Sequence, residues 1–103
     1  MYEELRKYQV GPKMIFDKLK KICSESGFNL DSVEETNKRL KLSSGLSLFS
    51  YGENIEVVIN RDKDGGSCVH INSKPKIWFN ITAEGNNKRN VQQIFELIEK
   101  ELT

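Results

Sequence analysis

The sequence is short of the residues from which most active sites and metal centres are built. It contains one histidine, His70, among 103 residues, and one imidazole cannot supply a His-rich metal site within a single chain. It also lacks the HExxH, GxGxxG, GxxxxGK[ST] and GxSxG motifs that mark common catalytic and nucleotide sites. These absences count against an enzyme, and we expect no catalytic residue, metal ion or cofactor.

Cysteine is equally scarce. Cys23 and Cys68 are the two cysteines of the chain, and neither belongs to a CxxC motif. We expect two reduced thiols, Cys23 on a helix face and Cys68 in a strand. A disulfide between them is the alternative, and it would require an oxidising compartment.

The sequence has little net charge and no long hydrophobic run. A formal net charge of +1 gives no overall field to attract nucleic acid or an anionic membrane. The opening residues, MYEELRKYQV, lack the apolar segment of a signal peptide, and no run reaches the roughly 20 residues of a membrane-spanning helix. We expect a cytoplasmic protein with no membrane partner.

What the sequence does contain is periodicity typical of one α+β domain over residues 1–103. A first helix is predicted from about Pro12 to Ser26, with Gly27 as its left-handed stop. A final helix is predicted from its apolar stripe, and five stretches alternate as strands do. The stripe contains Val91, Ile94, Phe95, Ile98 and Leu102, and the alternating stretches are 28–30, 40–42, 55–59, 69–71 and 77–81.

The predicted fold class is α+β, an antiparallel twisted sheet of five to six strands with two helices packed on one face. The element order is β-α-β-β-β-β-β-α, with Glu3–Val10 as a first strand or, alternatively, a frayed helical start. One apolar face per strand and one apolar stripe per helix favour this arrangement. The opposite face of the sheet would carry Lys41, Glu56, His70 and Trp78 and would be mostly solvated.

The last helix carries its charges against its own dipole. In AEGNNKRNVQQIFELIEKEL, Lys88 and Arg89 stand near the start, whereas a helix start prefers carboxylates. This order predicts a site for an anion or an acidic partner. Its alternative is an ordinary solvated helix start capped by an asparagine, because each reversed charge costs only a few tenths of a kcal/mol. The candidate residues are Gly85, Asn86, Asn87, Lys88, Arg89 and Asn90, with Asn86 and Asn87 as possible N-caps.

Lys74 and Lys76 are expected to lie at the far end of the molecule from Lys88 if the strand that follows them is straight. This placement would prevent one continuous basic patch.

A second candidate is the loop SSGLSLFSYGEN, residues 43–54, which holds four large apolar side chains. They could plug one end of the core, or they could form a partner-facing surface. The candidate partner surface consists of Phe49, Tyr51, Gly52, Glu53 and Trp78.

The stretches GPKMIF, SLFSYGENIEV and GNNKRNVQQIFELI resemble a small prokaryotic domain family of uncharacterised function. The matching positions are Tyr51, Gly52 and Glu53 at one motif and Gly85, Lys88 and Asn90 at the other. The resemblance implies the fold given above and a functional surface, without an activity. The layout is also distantly similar to helix-grip folds that hold apolar ligands.

The sequence therefore favours a non-catalytic binding module for a small anion or an unknown protein partner. Three alternatives stay open: an apolar-ligand carrier with Phe16, Phe49 and Phe95 around a pocket, an RNA- or ssDNA-binding domain with Tyr51 and Trp78 as stacking platforms, and a structural homodimer module. Nucleic acid is not favoured, and we expect a monomer or a weak homodimer.

Overall fold

A computed structural model describes residues 1–44, 52–76 and 83–103, with side chains in the last range from residue 85 onward. Its elements are β1 (Tyr2–Tyr8), α1 (Pro12–Glu25), β2 (Asn29–Glu34), β3 (Arg39–Ser43), β4 (Glu53–Arg61), β5 (Ser67–Pro75) and α2 (Ala83–Leu102). The predicted strand over 77–81 lies outside the described residues.

The strands form one antiparallel sheet in the order β1-β5-β4-β3-β2. Strands β2 to β5 follow one another as a meander, and β1 adds to the far side of β5. The predicted α+β class and antiparallel sheet are confirmed, and the five strands and two helices of the described residues follow the predicted order. The first segment, which the sequence left open, is a strand because every residue from Tyr2 to Tyr8 pairs with β5.

Helix α1 begins and ends where its sequence signals indicate. Pro12 occupies the first turn, and Gly27 has φ +88° just beyond the last turn. Its apolar stripe and that of α2 pack on the same face of the sheet. The core they form contains Ile15, Phe16, Leu19 and Cys23 from α1, Val91, Ile94, Phe95 and Ile98 from α2, and Leu40, Leu42, Ile55, Val57, Ile59, Val69 and Ile71 from the sheet.

Three of the residues predicted for the outer face of the sheet, Lys41, Glu56 and His70, lie there, and Trp78 is outside the described residues. Lys41 pairs in register with Glu56, and neither is buried. Nε2 of His70 lies 3.2 Å from Oε2 of Glu3 on the neighbouring strand. The single histidine is thus a half-exposed strand residue beside a carboxylate.

The start of α2 differs from the prediction. The helix begins at Ala83, so Asn86 and Asn87 lie inside its first turns and the expectation that they cap it was wrong. The Asn87 side chain accepts a hydrogen bond from Oγ of Ser73 at 2.8 Å. The side-chain oxygen of Asn87, which would bind a backbone N–H of the helix if Asn87 were an N-cap, therefore binds Ser73 of the sheet.

This contact also places the lysines of β5. Because Ser73 contacts Asn87, the end of β5 that carries Lys74 and Lys76 lies beside the first turns of α2, not at the far end of the molecule from Lys88. Ser44 and Gly52 lie at this end too, since Gly52 accepts a backbone hydrogen bond from Lys76 at 3.1 Å and Ser44 bonds to the residue after Gly52. We call this the α2-start end. The opposite end carries the β4–β5 turn.

Candidate functional site

A cluster of hydrogen-bonded polar side chains is buried at the α2-start end. Nδ2 of Asn90 donates to Oε1 of Glu53 at 2.9 Å and lies 3.5 Å from Oγ of Ser73. Ser73 in turn donates to Asn87. We call Ser44, Glu53, Ser73, Asn87 and Asn90 the polar cluster. Glu53 is 4% exposed and Asn90 is 8% exposed, so these bonds form away from bulk water, where a polar group without a partner is costly.

Glu53 is held in place by the local backbone as well as by α2. Gly52 has φ +96°, a conformation that favours glycine, and it turns the chain into β4. The hydroxyl of Ser44 then forms two hydrogen bonds with Glu53. It donates to Oε1 at 2.9 Å and accepts from the backbone N–H of Glu53 at 2.9 Å. Two hydrogen-bond donors on one carboxylate oxygen compensate part of the cost of burying its charge.

One donor of the polar cluster has no acceptor among the residues that the structure describes. Nδ2 of Asn87 is buried and forms no hydrogen bond there, while Oδ1 of the same side chain accepts from Ser73. Asn87 itself is 0% exposed. A buried donor left without an acceptor costs about 1–3 kcal/mol. The amide of Asn87 therefore has unused capacity to bind an oxygen at this end.

The polar cluster joins the two groups of candidate residues that the sequence treated as separate. Glu53 came from the predicted partner surface, and Asn87 and Asn90 came from the predicted anion site. Glu53 and Gly52 are buried, so they lie beneath the surface instead of forming it. The remaining residues of that predicted surface, Phe49, Tyr51 and Trp78, lie outside the described residues.

Above the polar cluster, the basic residues of α2 face solvent. Lys88 and Arg89 are exposed, Asn86 is half-buried and Gly85 is exposed. Within residues 1–44, 52–76 and 83–103, neither Lys88 nor Arg89 forms an ion pair. A salt bridge to Glu34 or Glu35 would have explained their position structurally, but Glu35 instead accepts from Lys20 at 2.7 Å.

The acidic end of α2, by contrast, is explained by contacts within the fold. Oε2 of Glu99 accepts from Nη1 of Arg6 at 2.6 Å and from the Tyr8 hydroxyl at 2.7 Å. Glu101 lies 3.7 Å from Nζ of Lys18. The hydrogen bonds from Tyr8 and Arg6 lower the pKa of Glu99. Glu99 and Glu101 thus have cations from β1 and α1, whereas Lys88 and Arg89 have no ion-pair partner among the described residues.

Sequence reasoning missed the polar contacts between β1 and α2. Tyr2 donates to Glu4 at 2.9 Å, and Gln92 of α2 donates to the same Glu4 oxygen at 2.7 Å. Arg6 donates from Nε to Glu4 and lies over the ring of Phe95, 4.5 Å from its centroid. The signal was the alternation of Tyr2, Glu4, Arg6 and Tyr8, which share one face of a strand but are not apolar.

Described residues line at least three cavities. A cavity of about 440 Å³ on the outer face is lined by Lys41, Lys74, Asn54, Asn72 and Glu56, among others. Phe16 and Phe95, which the carrier hypothesis placed around a pocket, are 1% and 0% exposed within the core and line none of the three. Phe49, the third residue of that hypothesis, lies outside the described residues.

Other site chemistries have little support in the described part of the chain. No group of three or more His, Cys, Asp or Glu residues there could hold a metal ion. Cys23 is buried in the core, Cys68 is half-buried, and both are free thiols. Neither helix, as far as it is described, is long and apolar enough to cross a membrane.

Comparison with known proteins identifies the fold only. No protein-family model and no curated protein matches the chain, so the family resemblance seen in the sequence stays a prediction. The crystal structure of Ara h 8.0201 is similar with a TM-score of 0.63 and 14% sequence identity, over 97% of this chain and 95% of that chain. The crystal structure of TTHA0849 from Thermus thermophilus gives a TM-score of 0.46 and 12% identity, over 95% and 90%. The likeness to Ara h 8.0201, at this identity, shows a shared fold and no function.

Proposed function

We propose that the chain is a non-catalytic binding module that takes a small anion, or an acidic segment of a partner protein, at the α2-start end. One observation carries the proposal: the 2.8 Å hydrogen bond from Ser73 to Asn87. It fixes the lysine-bearing end of β5 beside the basic first turns of α2. Four cationic residues thereby belong to one end of the fold: Lys88 and Arg89 on α2, and Lys74 and Lys76 at the end of β5, with Lys74 on the outer face of the sheet.

These four cations are available to a ligand. All four are exposed, and none forms an ion pair with a described residue. Several cations at one end of a molecule raise the local potential even when the net charge is near zero. An arginine among them can bind a carboxylate or phosphate through two parallel hydrogen bonds. The free N–H groups of α2 belong to residues 83–86, one turn before Lys88 and Arg89, and they favour an anion at this end of the helix.

The amide of Asn87 adds a directional donor. Its Nδ2 is buried without a hydrogen-bond partner in the described part of the chain, next to a carbonyl oxygen already bound by Ser73. A carboxylate or phosphate oxygen admitted between β5 and α2 would accept this hydrogen bond. The site would then combine exposed surface charges with one fixed amide donor, a combination that suits a compact anion.

Binding of inorganic phosphate and of a short oligoglutamate peptide tests the proposal. The variant Lys88→Gln/Arg89→Gln should bind either probe about tenfold more weakly, since two partly screened charges are lost. Its salt dependence should also fall. The matched control is Arg61→Gln/Lys63→Gln, which removes the same charge from exposed positions at the opposite end and should bind normally. Equal losses in both variants, or no saturable binding by the parent, would contradict the proposal.

A further inference from the structure

The sequence of strand β1 is complementary to itself when read backwards. Its centre is Leu5, and residues at equal distances on either side of Leu5 are matched in chemistry. Each outer position pairs an aromatic residue with another aromatic residue, and each inner position pairs an acid with a base. The matched pairs are Tyr2 with Tyr8, Glu3 with Lys7, and Glu4 with Arg6.

Strand β1 is also an open edge of the sheet. In the part of the chain that the structure describes, it pairs with β5 and with no second strand. The pairing is continuous, from Tyr2 opposite Ser73 to Tyr8 opposite Ser67, so the strand is regular along its length. The other edge, β2, has a register irregularity between Leu30 and Ser32, which discourages strand addition. Of the two edges, β1 is the one suited to pairing.

Leu5 is the exposed apolar residue at the centre of this edge. It is 53% exposed, and it points to the outer face of the sheet together with Glu3 and Lys7. An edge strand that stays unpaired in solution usually carries charges that repel a partner. Here the charges are opposite in sign on the two sides of Leu5, so they repel or attract depending on the direction of the incoming strand.

We infer that a second copy of this chain pairs with β1 in antiparallel orientation, with a two-fold axis at Leu5. Backbone hydrogen bonds would join the two sheets into one, as in other isologous dimers built on sheet edges. Leu5 would face Leu5 of the second copy, and Glu3 would face Lys7. Opposite charges directly across an antiparallel pair are favourable, and like charges are unfavourable.

Of these alignments, only this one places every charged residue of β1 opposite the other charge, and every apolar or aromatic residue opposite its own kind. A shift by two residues places either Glu4 opposite Glu4 or Arg6 opposite Arg6 of the second copy. A shift by one residue exchanges the two faces of the strand. Parallel pairing in register places each charge opposite the same charge. The sequence of β1 therefore specifies both the partner and its alignment.

The pair formed by Glu3 and Lys7 is the best point for a test because both residues are on the outer face. Their side chains are 54% and 64% exposed. Within the described residues, Glu3 contacts His70 at 3.2 Å and Lys7 lies 4.0 Å from Asp62. By contrast, Arg6 is engaged with Glu99 inside its own chain. Changes at Glu3 and Lys7 should leave the monomer folded.

Sedimentation equilibrium over a range of concentrations measures the dimer. Either Glu3→Lys or Lys7→Glu places like charges across the axis twice and should weaken dimerisation about tenfold. The double variant Glu3→Lys/Lys7→Glu restores opposite pairs and should dimerise like the parent. An equimolar mixture of the two single variants should form a heterodimer. Glu25→Lys and Lys21→Glu make the same charge changes at exposed positions of α1, away from β1, and are the controls.

Two results would overturn the inference. One is a parent chain that stays monomeric at high micromolar concentration. The other is a dimer that both single variants leave unchanged, since its contact would then lie elsewhere. The result is separable from the proposed anion binding. Lys7 lies opposite Cys68, toward the β4–β5 turn, whereas Glu3 lies opposite Asn72, beside the α2-start end. Lys7→Glu should therefore weaken dimerisation and leave anion binding unchanged.

Discussion

Asn90 donates a hydrogen bond of 2.9 Å to the Glu53 carboxylate, and this bond ties the second turn of α2 to the first residue of β4. Ser44 donates to the same oxygen. Glu53 is thus a buried acid that accepts hydrogen bonds from side chains of two separate segments. The bond fixes how the first turns of α2 sit on the sheet. Because Lys88 and Arg89 are the residues just before Asn90, it also fixes where they project into solvent.

Replacing Asn90 with alanine should destabilise the fold by about 2–3 kcal/mol, because it removes a donor to a buried charged group. Urea-induced unfolding measures the change. Gln93→Ala is the matched control, since Gln93 is exposed on the same helix and its loss should change the free energy of unfolding by no more than about 0.5 kcal/mol. An Asn90→Ala variant as stable as this control would show that the bond to Glu53 contributes little.

Glu99 should make the free energy of unfolding depend on pH in the acidic range. Hydrogen bonds from Tyr8 and Arg6 lower the pKa of Glu99 below its ordinary value of 4.5. A carboxyl group whose pKa is lower in the folded chain stabilises the fold fully above the unfolded pKa, and this stabilisation is lost as the pH falls through the folded pKa. Glu99→Gln should therefore be less stable than the parent at neutral pH. The difference should disappear below the folded pKa.

The size of this effect is limited by solvent, because the Glu99 side chain is 45% exposed. We expect a difference of less than about 1 kcal/mol at neutral pH, measured by thermal unfolding at several pH values. Glu96→Gln changes an exposed carboxylate of the same helix and is the matched control. A constant difference between parent and Glu99→Gln at every pH would argue against the ion pair as its cause.

The two cysteines should differ sharply in reactivity. Burial raises the pKa of the Cys23 thiol to about 12, and the thiolate is the reactive form. Cys68 is only half-buried. Iodoacetamide followed by mass spectrometry should therefore label Cys68 in the native protein and spare Cys23, whereas both react after denaturation. Equal labelling of Cys23 in the native state would contradict its place in the core.

Two glycine-to-alanine substitutions should change the free energy of unfolding in opposite directions. A Cβ at Gly66 would lie 2.3 Å from the Tyr8 carbonyl oxygen, so Gly66→Ala should cost more than about 2 kcal/mol. At Gly85 a Cβ meets nothing within 4 Å, and alanine in a helix should add about 0.5–1 kcal/mol. Chemical denaturation measures both. A destabilised Gly85→Ala would mean that the start of α2 differs from a regular helix.

The sequence was informative about the fold wherever burial was apolar. The stripe from Ile15 to Cys23 and the alternation from Ile55 to Ile59 predicted α1 and β4 because apolar side chains repeat with the period of the element. β1 was ambiguous for a physical reason. The side chains on its inner face are polar, and they are satisfied by Gln92 and Glu99 of α2, which are far away in the sequence.

The site was harder to predict because it depends on the same kind of distant contact. Asparagine near a helix start favours the N-cap position, and this local preference suggested the wrong start for α2. Asn87 instead contacts Ser73, and Asn90 contacts Glu53. No local sequence pattern predicts these hydrogen bonds. The only available signal was that the Gly52–Glu53 motif and the Gly85–Asn90 motif occur in one chain.

An amide ¹⁵N–¹H spectrum titrated with inorganic phosphate tests the proposed binding site most directly. The account predicts saturable shifts at residues 85–91 and at Lys74 and Lys76, and their loss in the Lys88→Gln/Arg89→Gln variant. Shifts that are absent, or that persist unchanged in that variant, would contradict an anion site at the α2-start end.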